Sequence, residues 1–546
     1  MLTLRLLTAF VPLLMISAAI IGSEPMAGFH VPAMAQDTAT PAVETDAEAR
    51  LTEADRLFQQ GTQQFQAQQF EQSLLLWQRA LALYREPVVR VAFPQESHRG
   101  EGYSLGNMGN AYANLGQYQR AIDFYTLALG VFQNLGDRRL EATTLNKLGT
   151  AYADLGQSER AIEFHLQALG LARELGNRRQ EAMIFNTLGI AYQNLTQYSR
   201  AIDAYEQSLN LARELGDRAI EKSALGDLSG VYVALGQYSR AINAYEQALV
   251  LARELGDRYA EGCILVNLGH AHQNLEKYEQ AIHFYEQSLS LLREVNSCTG
   301  EAVVLGGLGI AYQNLGQHDR AIDFHERQLV MVRMTEGRAG ESGALGNLGR
   351  VYAVSGQPHL ALFYYQQALA IAQARGDRSS WLLSAMGQLL AEQGQLELAI
   401  VFYKASVNIT ESIRAEIGGL PQDVQQSFTD KVSDTYYALA DLLLRQNRVL
   451  EAQQVVDLLK VQELDNYLDD VRGNAINANG IEFWQPEQAI LERFNAQQQQ
   501  AVELGQELAE LREIPEGDRT PTQQQRIAEL VRLEEQLNRQ FNDFIE

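Results

Sequence analysis

The side chains best suited to holding a ligand in this sequence are amides that recur at regular spacing. Asn146 and Asn186 lie 40 residues apart, and Asn267 and Asn347 lie 80 apart, within stretches that read as helices. Asparagine is a mediocre helix former, so its recurrence inside helices needs a reason other than local folding. A carboxamide both donates and accepts hydrogen bonds, which suits it to the backbone of an extended peptide.

The predicted ligand-contacting residues all lie within a few positions of a recurring glycine, at the spacing of three or four residues that defines one side of a helix. They are Asn107, Asn110, Asn146, Lys147, Asn186, Asn194, Asn267, His270, Asn274, Asn314, Asn347 and Arg350. An alternative applies to those near the end of their helix, where asparagine is simply tolerated beside a turn. That group is Asn114, Asn194, Asn274 and Asn314.

Residues that could support catalysis or metal binding form no recognisable constellation. The sequence contains no Gly-rich phosphate loop, no H-E-x-x-H and no G-x-S-x-G motif. His270 and His272 are two residues apart, so on a helix they point to different sides and cannot form the i, i+4 pair that a metal requires. His272, His165 and His325 stand where neighbouring units carry an aromatic residue, which predicts a packing role. We therefore expect no enzymatic activity, no cofactor and no metal.

The N-terminus has the pattern of an export signal. Arg5 precedes an apolar run from Leu6 to Ile21, and the small residues of AMA predict cleavage between Ala35 and Gln36. The expectation is a signal peptide at 1–35 and a periplasmic or extracellular protein. The alternative is an uncleaved segment that anchors the chain in a membrane.

Residues 36–50 after the signal are small and polar, and they read as a flexible linker. Export would permit a disulfide between Cys263 and Cys298, but nothing in the sequence brings the two together. Two separate thiols are therefore expected, and a disulfide between them is the alternative.

The dominant feature of the sequence is a repeat of 40 residues. Seven alanines recur at that interval, and twelve residues before each lies a glycine or, once, a serine. The alanines are Ala121, Ala161, Ala201, Ala241, Ala281, Ala321 and Ala361. A representative unit, LGIAYQNLTQYSRAIDAYEQSLNLARELGDR at 188–218, reads as two amphipathic helices joined by a tight turn. The sequence therefore predicts an all-α array of helical hairpins.

This pattern resembles the tetratricopeptide repeat in its 40-residue class. In QYQRAIDFYTLAL the matching positions are Ala121, Tyr125 and Ala128. The resemblance implies an α-solenoid, a superhelix whose concave groove is lined by the first helix of each hairpin. About eight repeats are expected over 51–416, followed by a degenerate repeat and connector helices at 417–474.

The segment SDTYYALADLLLRQNRVLEAQQVVDLLKVQELDNYLDDVRGN, 433–474, is similar to the one that ends the repeat array in bacterial, often cyanobacterial, CHAT-domain proteins. Its acidic DNYLDD departs from the more basic version found in that family. An acidic, coiled-coil-like helical hairpin is predicted at 475–546, which in the family leads into a caspase-like protease domain. That domain is missing from this sequence, so the hairpin reads as truncated, and the resemblance assigns no catalytic residue to any position.

The formal charge of −24 argues against nucleic acid as a partner, because binding phosphate backbones needs a basic face. No small-molecule substrate is indicated either. The sequence favours a non-catalytic scaffold that binds protein or peptide ligands in the groove. Two alternatives remain, the regulatory half of a CHAT-type protease and an assembly chaperone of the cell envelope.

Overall fold

The computed structural model describes residues 41–334, 338–417, 422–465, 480–514 and 519–545. Within these ranges the secondary structure is entirely helical, as the sequence predicted, and no strand occurs. None of the described helices combines the length and apolar character needed to cross a bilayer. The predicted signal peptide at 1–35 lies outside the described residues.

The chain divides into two compact units, a first unit that ends at Ile264 and a second that begins at Leu265. The helices of the first unit follow one another with short joins. They are α1 (Pro41–Gln66), α2 (Phe70–Tyr84), α3 (Pro87–Ala92), α4 (Pro94–Asn114), α5 (Tyr118–Leu135), α6 (Arg138–Asp154), α7 (Ser158–Glu174), α8 (Arg178–Asn194), α9 (Tyr198–Leu215), α10 (Arg218–Ala234) and α11 (Tyr238–Glu254). The division between the units falls within α12 (Arg258–Asn274).

The second unit continues the pattern of hairpins and ends in longer helices. They are α13 (Tyr278–Glu294), α14 (Cys298–Asn314), α15 (His318–Met334), α16 (Arg338–Val354), α17 (Pro358–Ala374), α18 (Ser380–Glu392), α19 (Leu396–Ile417), α20 (Gln422–Arg445), α21 (Val449–Asp465), α22 (Gln485–Glu513) and α23 (Pro521–Ile545).

Two features of the first unit differ from the expectations. Helix α1 begins at Pro41, so residues 41–50, predicted to belong to a flexible linker, are helical. Residues 87–92 form the short helix α3, which the repeat pattern did not predict; it begins at Pro87, and α4 begins in the same way at Pro94. Proline is favoured at the first position of a helix because its missing N–H has no partner to lose there.

Most of the repeat hairpins consist of an A helix and a B helix that approach closely at a glycine. At Gly189 in α8, an added Cβ would lie 2.5 Å from the Tyr205 ring of α9, a distance that no real side chain tolerates. Ala201, at the start of α9, is fully buried. The recurring glycine and alanine are therefore explained by close helix approach.

The join between repeats, LGDR, is explained by helix capping. Gly216 ends α9 with a positive φ of 66°, and the Asp217 side chain then accepts the N–H of Ile220 at the start of α10. Arg218 pairs with Glu221 one turn later, at 2.9 Å, and Arg213 pairs with the same carboxylate at 2.9 Å. The join thus satisfies backbone groups on both sides of the turn.

The histidines in the aromatic register pack as predicted. His272 stacks on Phe284 with ring centroids 5.1 Å apart, as Tyr152 does on Phe164 at 5.2 Å. His165 faces Gly149 in the place that tyrosine takes in other hairpins. Burial lowers the pKa of His165 to about 3, so the ring is neutral.

Both cysteines are free thiols. Cys263 lies within α12, and Cys298 is the first residue of α14.

The terminal hairpin of α22 and α23 lies against B helices of the second unit, α17 and α19. Phe494 of α22 makes an edge contact with Phe402 of α19, their ring centroids 4.8 Å apart, and lies 6.0 Å from the ring of Phe541 in α23. Phe541 is fully buried, so at least this part of the apolar side of α23 is covered.

A buried ion cluster fixes the start of α22. It comprises Lys404, Arg448, Glu451 and Glu487. The Lys404 ammonium, which is fully buried, donates to Glu451 at 2.8 Å and to Glu487 at 2.9 Å. Arg448 donates to the same two carboxylates, both at 2.6 Å. Two positive and two negative charges therefore balance where α19, α21 and α22 meet.

Candidate functional site

Polar side chains at one register position, residues 147, 187 and 227, link successive A helices of the first unit. Lys147 of α6 donates to Asn110 of α4, with Nζ and Oδ1 3.0 Å apart. Forty residues later, Thr187 of α8 donates to Asn146 of α6 at 2.9 Å. Forty further, Asp227 of α10 accepts from Asn186 of α8 at 2.8 Å. These six residues and Asn107, which accepts from Asn110 at 3.3 Å, form what we call the polar ribbon.

The ammonium of Lys147 is poorly compensated. Burial lowers its pKa to about 8, and in the described part of the chain no carboxylate pairs with it. Its partner Asn110 also accepts a hydrogen bond from the Tyr125 hydroxyl, at 2.8 Å. An ammonium has three donors, so Lys147 keeps hydrogen-bonding capacity for an anionic group.

Asp227 carries a negative charge that, like the positive charge of Lys147, is desolvated and poorly compensated. Burial raises the pKa of its carboxyl to about 7, and the hydrogen bond from Asn186 offsets this only in part. No lysine or arginine among the described residues pairs with it, and the pKa values of Tyr205 and Tyr245 are raised partly by its charge. A carboxylate held this way favours the approach of a cation.

The two mid-helix asparagines of the first unit differ in environment. Asn146 is buried and accepts from Thr187, and its oxygen also lies 2.7 Å from Nδ1 of His165. Asn186 is partly exposed, and its buried Oδ1 has no hydrogen-bond partner. Asn186 therefore retains an unused acceptor, whereas Asn146 is engaged in packing the hairpin.

The asparagines at helix ends bond to their own helix. Asn114, Asn274 and Asn314 each donate to the carbonyl four residues earlier, at 2.8–2.9 Å. All three are exposed, as is Asn194. This arrangement agrees with the alternative stated above, in which asparagine is tolerated beside the turn, and it leaves ligand contact by Asn194, Asn274 and Asn314 a prediction.

In the second unit the predicted residues do not form a continuous ribbon. Asn267 and Asn347 occupy the register of Lys147, but the residue between them is Gly307, over which the Tyr285 ring lies. His270 is buried against Tyr285, with ring centroids 5.5 Å apart, and burial lowers its pKa to about 4. The structure therefore places His270 in a packing position.

Arg350 is the charged member of the set in the second unit. Its guanidinium donates to Asn347 at 3.2 Å, and its Nε is buried without a hydrogen-bond partner. Burial lowers the pKa of Arg350, and the charge of Arg350 contributes to lowering the pKa of His325. Arg350 thus resembles Lys147 in being desolvated beside an asparagine.

Sequence comparison identifies the family. The tetratricopeptide repeat family matches residues 101–174, 180–254, 261–329 and 341–412, which together exceed half of the chain. The chain belongs to the tetratricopeptide repeat family. Among curated proteins, none matches it significantly in sequence.

Several solved structures are similar to parts of this chain. The apo quorum sensor NprR from B. thuringiensis is 16% identical, with 60% of this chain and 99% of that chain covered and a TM-score of 0.43. A Rap protein complexed with competence and sporulation factor is 15% identical, covering 67% and 98%, with a TM-score of 0.39. BtubC from P. vanneervenii is 20% identical, covering 48% and 94%, with a TM-score of 0.35.

Two residues of the polar ribbon, Thr187 and Asp227, were not predicted from the sequence. Both follow Lys147 in the register of the tetratricopeptide repeat, at intervals of 40 residues. Neither is an amide or a basic residue, the types on which the prediction relied. The signal that identifies both is their position in the register of Lys147. The described residues contain no group of three or more His, Cys, Asp or Glu side chains placed to hold a metal ion.

Proposed function

We propose that this tetratricopeptide repeat protein is a non-catalytic interaction scaffold whose polar ribbon binds an extended peptide segment of a partner protein. The proposal rests on unused hydrogen-bonding capacity in three successive A helices, α6, α8 and α10. Asn186 has a buried acceptor without a partner, and Lys147 and Asp227 are desolvated charges held only by amides. Desolvated polar groups of this kind gain most from a ligand that completes their hydrogen bonds.

The peptide backbone is the natural complement to such a surface. It offers one N–H donor and one C=O acceptor at nearly every residue, so an extended segment supplies the kind of donor that the Asn186 acceptor lacks, whatever its side chains are. Because the A helices repeat at a constant interval, a segment running across them meets equivalent positions in turn.

The test is selection of random twelve-residue peptides on the purified full-length chain, followed by affinity measurement for those enriched. Asn186→Ala removes the unused acceptor and is expected to weaken binding by about tenfold. Asn210→Ala is the matched control, because Asn210 is exposed on the B helix α9. Failure to enrich any peptide, or equal binding to both variants, would contradict the proposal.

A second candidate, the regulatory half of a CHAT-type protease, is favoured by the C-terminal elements. The stretch LLLRQNRVLEA spans the end of α20 and the start of α21, and its Arg448 belongs to the ion cluster that fixes the start of α22. Such a rigid connection suits an element that transmits binding to a further domain. The nucleotide sequence after the codon for Glu546 tests this proposal: a reading frame encoding a His and Cys block supports it, and an unrelated gene contradicts it.

We also propose that the scaffold acts outside the cytoplasm, on the sequence pattern of residues 1–35. N-terminal sequencing of the protein recovered from its source is expected to begin at Gln36. A chain that still begins at Met1 in the membrane fraction would support the anchored alternative instead.

A further inference from the structure

We infer that the polar ribbon selects peptides of a particular polarity: an acidic group where Lys147 lies and a lysine or arginine side chain where Asp227 lies. This inference rests on the proposed function and specifies the ligand of that same surface. The tetratricopeptide pattern does not demand it, because the same register position holds Asn107, Asn267 and Asn347 elsewhere in the chain.

The two charges, on Lys147 and Asp227, lack protein partners of opposite sign. Lys147 donates to Asn110, and Asp227 accepts from Asn186, so each charge is held by a neutral amide. Several other charged side chains of these A helices are paired. Glu221 of α10, for example, accepts from Arg213 and Arg218, both at 2.9 Å. Lys147 and Asp227 differ from these paired side chains, since each is desolvated and has only an amide partner.

The two charges belong to one continuous surface. Helix α8 contacts both α6 and α10, and the intervening register position is the neutral Thr187. Asn186, beside Thr187, lies between the charged ends, is partly exposed, and has a buried acceptor without a partner. A ligand that spans the ribbon therefore meets an ammonium, then an amide oxygen, then a carboxylate.

The distance between the A helices sets the spacing between the charged groups of the ligand. Packed helices lie about 8–10 Å apart, so two A-helix intervals amount to roughly 16–20 Å. An extended peptide advances about 3.3–3.6 Å per residue. The acidic and basic groups of the peptide are therefore about five residues apart.

Charge complementarity also distinguishes which ligand chemistry fits. A segment that is acidic throughout would bring a carboxylate against Asp227, and a segment that is basic throughout would bring a cation against Lys147. Like charges placed together in a desolvated site disfavour binding strongly. A segment of mixed charge in the stated order avoids both penalties and, unlike a neutral segment, pairs each of the two charges.

The experiment is a double-mutant cycle between the protein and an enriched peptide. For a peptide with one acidic and one basic residue, Asp227→Asn is expected to weaken binding about tenfold or more. The same substitution should leave unchanged the binding of a peptide whose basic residue is replaced by glutamine. Lys147→Met and the acidic residue of the peptide form the second cycle, with the same expectation.

Matched controls separate the ribbon from the general charge of the molecule. Asp203→Asn alters an exposed carboxylate on the B helix α9, and Arg139→Met alters an exposed cation on α6. Neither should change affinity by more than about twofold, since exposed charges are screened by solvent and salt. Circular dichroism of each variant confirms that it remains folded.

The outcomes separate this inference from the function on which it rests. Enriched peptides that depend on Asn186 but show no coupling to Lys147 or Asp227 would overturn the polarity and leave the scaffold in place. Enrichment of purely acidic or purely basic peptides would also overturn it. No enrichment at all would defeat both, whereas two coupled cycles with the charges about five residues apart would support both.

Discussion

The carboxylate of Asp227 opposes folding whenever it is ionised, because the folded chain desolvates it and supplies no cation. Its pKa in the folded state is about 7, above the ordinary value of 3.8. Between these two pH values the folded state therefore holds more protons than the unfolded state, and the free energy of unfolding falls as the pH rises. Above pH 7 the full cost is present, and near pH 4 it vanishes.

Asp227→Asn is accordingly expected to raise the free energy of unfolding at pH 8 by ~1–2 kcal/mol, a figure reduced for partial solvent exposure. At pH 4 the variant and the parent protein should be equally stable. Urea denaturation at the two pH values measures the difference, with Asp203→Asn as the control. A variant that is less stable at pH 8 would show that the ionised carboxylate has a partner that strengthens the fold.

How far the site could be predicted depends on what each residue contacts. The 40-residue register identified Lys147, Asn110 and Asn186 in the sequence, because position within the repeat determines which side of the A helix a residue occupies. It could not separate the engaged Asn146 from the unused acceptor of Asn186. That distinction depends on Thr187 and on His165, a B-helix residue whose Nδ1 lies 2.7 Å from the Asn146 oxygen.

At the scale of helices, the recurring glycine sets how closely an A helix and its B helix approach. Gly189→Ala would place a methyl group 2.5 Å from the Tyr205 ring, which is fully buried and cannot move away without repacking. We expect a loss of ~1–3 kcal/mol in the free energy of unfolding, measured by urea denaturation.

Gly170→Ala is the matched control, since Gly170 lies within α7 with open space where the methyl group would go. Alanine is the better helix former, so this variant should gain ~0.5–1 kcal/mol. Equal effects of the two substitutions would show that helix propensity, and not the contact with Tyr205, determines the stability at Gly189.

The ion cluster is the element-scale feature that the sequence could not reveal. Lys404 lies 47 residues from Glu451 and 83 from Glu487, so no local pattern links them. The hairpins themselves were predictable because each is closed by contacts between residues near in sequence. The reason that α3 and the early start of α1 were missed is different: neither follows the 40-residue register on which the prediction rested.

Lys404→Met is expected to reduce the free energy of unfolding by about 3–5 kcal/mol, because it leaves two buried carboxylates to share Arg448 alone. Adding Glu487→Gln to this variant restores the balance of charge and should recover part of the loss. Thermal unfolding of the two variants measures the effect. A Lys404→Met protein as stable as the parent would indicate that water or another group compensates the carboxylates.

At the scale of the whole molecule, the formal charge of −24 favours partners with positive charge through the long-range field. The polar ribbon then adds a short-range requirement: the bound peptide must place a basic side chain at Asp227 and an acidic group at Lys147. The two effects are distinct, because added salt weakens the first far more than the second.

Repetition also determines how a local change spreads. In the first unit, α8 contacts α6, α7, α9 and α10, and each hairpin is held chiefly by its neighbours. For such arrays stability is close to a sum of repeat and interface contributions, so damage to one hairpin weakens the adjoining ones most.

Hydrogen exchange followed by mass spectrometry tests this locality in the Gly189→Ala protein. Amide exchange is expected to accelerate in peptides from α7 to α10, while peptides from α1 and α2 keep the rates of the parent protein. Gly170→Ala serves as the control and should accelerate none of them. If exchange accelerates by the same factor from α1 to α10, the first unit opens as one cooperative body, and the neighbour-by-neighbour description of its stability is wrong.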